Sequence, residues 1–192
     1  MRVIEILPYQ AHWPAEFQQI ETSLQQALGP LALRIDHIGS TSVLGLGAKD
    51  IVDVQVTVAS LFPEKSLNAA FLAAGYEMRD GVWEDHRPAG DARPEAEWQK
   101  RYCREREGTR RVHIHVRVAG AANQRYALLF RDFLRSNTSA AGSYEQIKRE
   151  LARLHPHDID AYYAVKDPAC DLIMAAAEGW AAATNWEPAR GR

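Results

Sequence analysis

The segment Ile51-Val52-Asp53-Val54-Gln55-Val56-Thr57-Val58 limits what this chain can fold into more than any other stretch. Valine recurs at every second position, while Ile51, Asp53, Gln55 and Thr57 take the alternate ones. Successive side chains of a strand point to opposite faces, and β-branched residues suit a pleated surface, so Ile51–Val58 is predicted to be a strand. One of its faces is hydrocarbon and must be covered by other elements. The other carries a carboxylate and an amide at period two. Arg110–Val118 repeats the pattern, with Val112, Ile114, Val116 and Val118 against His113, His115 and Arg117. Together with Lys100–Arg106, across Glu107-Gly108-Thr109, it reads as an antiparallel hairpin. Leu31–Ile38 reads as a further strand that runs into the small-residue turn Gly39-Ser40-Thr41-Ser42.

Helical spacing of Phe17, Ile20, Leu24 and Leu28 predicts a helix over Ala15–Leu28, opened by Pro14 and closed by Gly29-Pro30. Glu64–Ala74 has helical composition and stops at Gly75, after which Tyr76–Arg79 restarts extended structure. Gly81–Glu97, with Pro88, Gly90 and Pro94 and no period, reads as a long surface loop or insertion. Beyond Gly120 the chain is helical over Gln124–Arg135, Gly142–Leu154 and Ile159–Thr184, with Pro156 and Pro168 marking breaks or first turns. The expectation is one domain over residues 1–192, a sheet-containing core over 1–120 and a helical part over 121–192. No internal repeat is found.

At 192 residues, 46% hydrophobic and 25% charged, the chain is long and apolar enough to bury a core without disulfides or a structural metal. A formal charge of −2 makes nucleic acid an improbable partner by bulk electrostatics. Its most apolar stretches, Ser66–Tyr76 and Leu172–Trp186, fall short of the roughly 18 residues a membrane span needs or are broken by charge. Cys103 and Cys170 lack a Cys-x-x-Cys partner, and the amino end lacks the cationic start and apolar run of a signal peptide, so a reducing cytoplasm is the expected compartment.

Three groups of residues could carry chemistry. Gly39, Ser40, Thr41 and Ser42 form a turn whose amides and hydroxyls can meet an anion, with Lys49 downstream; the alternative is an ordinary tight turn. Asp53 and Gln55 have the period-two spacing of a metal-holding acidic pair, but Gln55 brings no charge, and a solvated sheet face is the simpler reading. His113, His115 and Arg117 set two imidazoles and a guanidinium on one strand face, suited to proton transfer, metal ligation or an anionic ligand. The excess of Lys100, Arg101, Arg104, Arg106, Arg110, Arg111 and Arg117 over Glu105 and Glu107 could steer a nucleotide or RNA; a solvated hairpin explains it equally well. Arg131 with Arg135, and Tyr144 with Lys148, are helix-surface neighbours and read mostly as surface charge. His155-Pro156-His157-Asp158 reads as a helix start capped by Asp158 rather than a metal cluster.

Taken together, the sequence resembles the GrpB (UPF0157) family, placed in the nucleotidyltransferase superfamily. The resemblance is carried by His37-Ile38-Gly39-Ser40-Thr41-Ser42-Val43, Gly45-Leu46, Ala48-Lys49, Ile51-Val52-Asp53, His113-Ile114-His115, Phe130-Arg131-Asp132-Phe133-Leu134-Arg135, Tyr144 with Lys148, Tyr163 with Lys166, and the opening Tyr9–Pro14 with Phe17. It covers nearly the whole chain and departs from the family pattern at Leu44 and Asp50, where prolines are usual. It implies an α+β, polymerase-β-like nucleotidyltransferase fold, a mixed sheet with helices packed on it. It further implies phosphate binding at Gly39 and Ser40 and a metal, Mg²⁺ or Mn²⁺, on Asp53. Gln55 stands where the second carboxylate belongs, and the His113–His115 strand is where a third ligand is expected, with a transition metal the alternative given the histidine pair.

The leading expectation is a metal-dependent nucleotidyltransferase acting between a nucleoside triphosphate and an unidentified acceptor. Asp53, Gln55 and His115 would hold the metal, Gly39–Ser42, Lys49 and Arg117 the phosphates, and His113 or His115 would serve as base. The competing expectation is a catalytically inactive module that binds a nucleotide or coenzyme precursor and acts through a partner, since GrpB-like domains also occur fused to dephospho-coenzyme A kinases. Gln55 favours the second, the paired histidines the first. An RNA-binding hairpin ranks last, and the oligomeric state is left open.

Overall fold

A computed structural model describes residues 3–189. Five strands form one sheet: β1 (Arg34–Ile38), β2 (Val52–Val58), β3 (Tyr76–Met78), β4 (Arg101–Glu105) and β5 (Val112–Val118), in the order β1-β2-β5-β4-β3. β2 and β5 run parallel and every other neighbour pair is antiparallel, so the sheet is mixed. Five α-helices accompany it: α1 (Trp13–Leu28), α2 (Glu64–Ala73), α3 (Ala122–Ser136), α4 (Thr138–Leu154) and α5 (Ile159–Thr184). This is the mixed α/β architecture, with helices on a mixed sheet and a helical carboxyl-terminal part, that the sequence led us to expect.

The alternation in β2 and β5 sorts the two faces. Val52, Val54, Val56, Val112, Ile114 and Val116 are buried with Leu24, Leu28, Leu67 and Phe71 in one hydrocarbon layer beneath α1 and α2. At about 25 cal/mol per Å² of apolar surface removed from water, this layer is a major driving force for folding. The opposite face carries Asp53 beside His113, Gln55 beside His115 and Thr57 beside Arg117 in the parallel register. A second cluster joins α3, α4 and α5 through Leu129, Phe133, Leu134, Tyr144, Met174 and Ala177.

Helix boundaries follow local chemistry. α1 opens on a proline and closes on Gly29 at φ 50°. The Asn137 side chain accepts from the Ala140 amide to cap α4, and Asp158 does the same for Ala161 at α5, as its sequence position suggested. The strand expected over Leu31–Ile38 is shorter, because Gly29–Leu31 forms a 3₁₀ turn around Pro30 before β1 begins. Pro168 does not break α5 but lies within it. The 81–97 stretch is irregular apart from a 3₁₀ turn at Glu95–Trp98. No helix among the described residues is long and apolar enough to cross a membrane, and both cysteines are free and buried.

Candidate functional site

The turn after β1 and the polar face of β2 and β5 open into one cavity of about 300 Å³, walled on the far side by α3, α4 and α5. The turn residues Gly39, Ser40 and Thr41 reach it together with Lys49, Asp53, His113, His115 and Arg117. Of the phosphate-binding residues expected from the sequence, Ser42 alone lies behind the wall, its hydroxyl donating to the Gly39 carbonyl at 2.6 Å.

The turn is fastened from several directions. Gly39 has φ 68°, and a Cβ there would stand 2.4 Å from Asp53 Oδ2, so the backbone passes over the carboxylate at a distance only glycine allows. Thr41 Oγ1 meets His37 Nε2 at 3.0 Å, while the His37 ring stacks on Phe17 at 4.7 Å. Burial pulls the His37 imidazole down to about 4, so it is neutral at pH 7. Arg135 donates twice to the Ser42 carbonyl, at 3.1 and 2.8 Å. Lys148 donates to Ser40 Oγ at 2.8 Å and to the Gly47 carbonyl at 2.5 Å. Gly47 in turn donates its amide to Glu145 Oε2 at 2.7 Å, so one turn of α4 clamps both polar groups of one residue.

Asp53 faces His113 Nδ1 at 3.5 Å and His115 Nε2 at 4.0 Å. Burial pushes its carboxyl up, but the hydrogen bond and charge of His113, with His115 and Lys49 beyond, prevail and hold it below the ordinary carboxylate value. Lys49 Nζ reaches the Tyr163 hydroxyl at 3.1 Å and lies 5.0 Å from the Tyr162 ring. Tyr126, Phe130, Tyr144, Tyr162 and Tyr163 give the cavity an aromatic wall, and Lys148 and Lys166 add two further ammonium groups.

Three residues depart from their expected roles. Gln55 is fully buried, its Oε1 accepts from Arg117 at 2.6 Å and its amide donates to the Gln124 carbonyl, so its oxygen is already used and it stands outside the cavity lining. Arg117 is held by Asp85 through Nε at 2.7 Å and Nη2 at 2.9 Å, which leaves it a partner of this carboxylate rather than a free phosphate clamp. His115 Nδ1 lies 3.3 Å from Lys100 Nζ, a donor, which in the neutral ring puts the proton on Nε2, the nitrogen facing Asp53. Burial, with Lys100 and Arg117 nearby, keeps that ring far below the ordinary imidazole value.

Asp85, in the irregular 81–97 stretch, was not singled out by sequence, since that segment has no period to orient it. It binds Arg117, Lys100 at 2.7 Å and Asn123 at 3.1 Å. Despite burial, these cations hold its carboxyl far below the ordinary value. Tyr144 and Lys148, read as surface neighbours, are only 3% exposed each. Burial brings the Lys148 amine down to about 7. Arg131, also read as surface charge, is buried between Asp36 and Asp132. Lys100, Arg101 and Arg117 of the basic run are buried and ion-paired, which removes them from any steering surface.

This donor set does not fit the metal site the sequence suggested. Gln55 is fully buried outside the cavity lining with its oxygen on Arg117, Asp85 is enclosed by cations, and His115 turns its proton toward Asp53, so of Asp53, Gln55 and His115 Asp53 alone presents oxygens to the cavity. Among the described residues no three or more His, Cys, Asp or Glu side chains are arranged to hold an ion.

Fold and cavity together define a mixed-sheet domain with an aromatic, lysine-rich pocket over a glycine–serine turn. The chain belongs to the GrpB family: the family model described as GrpB protein matches residues 3–176. The crystal structure of the conserved protein GrpB from Enterococcus faecalis superposes with a TM-score of 0.75 at 31% identity, covering 92% of this chain and 99% of that one. A dephospho-CoA kinase from Mycolicibacterium paratuberculosis is 36% identical over 198 residues, 96% of this chain and 48% of the relative. A UPF0157 protein from Streptomyces coelicolor is 37% identical over 173 residues, 90% of this chain and 81% of the relative. The chain thus spans about half the length of the dephospho-CoA kinases it matches.

Proposed function

We propose that this chain binds a phosphorylated nucleotide, a nucleoside triphosphate or a coenzyme precursor, in the cavity over Gly39–Thr41. The observation that carries this reading is the meeting of the turn with Lys49, Lys148 and Lys166 and an aromatic wall in one cavity. The Lys49 and Lys166 ammonium groups answer the charge of a polyphosphate, and the tyrosine rings offer a stacking surface to a base. In this reading no metal is needed for binding, and Asp53 opposes the phosphates. Calorimetry with ATP in EDTA should therefore give measurable affinity, tightened several-fold by Asp53→Asn and weakened tenfold or more, about 1.4 kcal/mol, by Lys49→Met. No binding of any nucleoside triphosphate or of coenzyme A precursors would refute it, and affinity that appears only when Mg²⁺ replaces EDTA and is lost in Asp53→Asn would restore metal-mediated binding.

Nucleotidyl transfer to an acceptor is the second reading, favoured by the two imidazoles beside Asp53, where a proton acceptor for an attacking hydroxyl would stand. Here the lysines would offset charge on departing pyrophosphate. Incubation with α-labelled nucleoside triphosphates, Mg²⁺ or Mn²⁺ and a metabolite and RNA extract separates the two: label on an acceptor supports transfer, and binding without transfer supports the first.

A further inference from the structure

Ser40 and Lys148 line the cavity of the proposed function, and the contact between them has a chemistry that neither reading uses. Ser40 sits on the cavity floor at the start of the tight turn, and Lys148 Nζ is the partner of its hydroxyl, at 2.8 Å, brought there across 108 residues of sequence. The lysine is 3% exposed and has a second fixed contact, the Gly47 carbonyl at 2.5 Å. That carbonyl orients it as the third member of a catalytic triad orients its base. In the ammonium form Nζ donates to both partners; in the neutral amine one N–H can stay on the Gly47 carbonyl while the lone pair accepts from the Ser40 hydroxyl over the same 2.8 Å.

We propose that Ser40 is a nucleophile activated by Lys148, and that it attacks a phosphoryl centre of the ligand held in the cavity. Lys148 Nζ takes the Ser40 proton, Oγ forms a bond to phosphorus, and the bond from that phosphorus to its bridging oxygen breaks. The leaving phosphate or pyrophosphate carries off the electron pair. A water or acceptor hydroxyl then attacks the same phosphorus, its proton passes to solvent, and Ser40 leaves with the proton returned by Lys148. Burial is the main force bringing the amine down to about 7. Glu145 opposes that shift, Lys166 and Lys49 reinforce it, and Tyr144 and Cys170 are the other titratable groups against it.

This inference rests on the cavity accepting a phosphorylated ligand, so its test uses a probe that needs no nucleotide. The full chain is treated with an alkyl fluorophosphonate, which phosphonylates activated serines with loss of fluoride, and the adduct is located by mass spectrometry. In parallel, binding of the nucleoside triphosphates and the coenzyme A precursors is measured by calorimetry. The expected result is one adduct, on Ser40, formed with a rate that rises with pH to a midpoint near 7, absent in Ser40→Ala and slowed at least 100-fold in Lys148→Met. The midpoint is read on the unaltered chain, so it stands even if Lys148→Met fails to fold. No adduct at Ser40 up to pH 9, or labelling at Ser40 unchanged in folded Lys148→Met, overturns the pair. Labelling at Ser40 when neither the nucleoside triphosphates nor the coenzyme A precursors bind upholds the pair and refutes the nucleotide reading instead.

Discussion

At Gly39 a backbone runs close over a carboxylate. Gly39 combines a positive φ with a virtual Cβ 2.4 Å from Asp53 Oδ2, so Gly39→Ala should cost about 1–3 kcal/mol in denaturant unfolding and displace the turn from Asp53. His37 sets an acid limit. Its ring is depressed to about 4 from an ordinary 6.5, so between these values the unfolded chain takes up a proton that the folded chain refuses. Stability therefore falls as pH drops from 6.5 toward 4, by about 1–3 kcal/mol from this group, and His37→Gln should flatten that part of the pH profile. Ser40, Asp53 and the histidines were legible because a turn after a strand and period-two alternation assign side chains to a place. Lys148 was only half legible: spacing identified its helix neighbour Tyr144 but not which face of α4 would be buried, because a lysine in an amphipathic pattern ordinarily marks the solvent side.

β2 and β5 are the elements on which the site depends, since their parallel register sets Asp53 beside His113 and Gln55 beside His115. Val54, without solvent exposure, lies under this register, and Val54→Ala should cost about 2 kcal/mol in urea unfolding by lost burial and cavity formation. The irregular segment before β4 is bound to the same strands by charge. Asp85 satisfies Arg117 and Lys100 together, so Asp85→Ala would leave two buried cations without their carboxylate and should cost about 3–5 kcal/mol by the same measurement. Because its folded-state carboxyl lies far below the ordinary 3.8, this stabilisation is present above that value and lost as pH falls below it. Strand identity and facing could be read from the valine alternation; the ion pairing could not, because nothing local in 81–97 says which of its acids turns inward or which cations it meets. Gln55 shows the same gap. Its face was correctly assigned, yet its partner Arg117 lies 62 residues away.

At the scale of the molecule the cavity is a joint product of sheet and helices, with Asp53 and the histidines on one wall and Lys148, Tyr163 and Lys166 on the other. A ligand bound there at a hundred times its dissociation constant would add about 2.7 kcal/mol to stability. Thermal unfolding with saturating ATP should accordingly rise by about 5–10 °C. Lys148 and Ser40 are 108 residues apart, and the lysine arrives on the fourth helix. A polypeptide leaving the ribosome amino end first would thus expose its serine-bearing bend, unarmed, until α4 had been synthesised and docked. The inferred reactivity would in this way wait for the docking of α4, and a chain without that helix in place would be left inert.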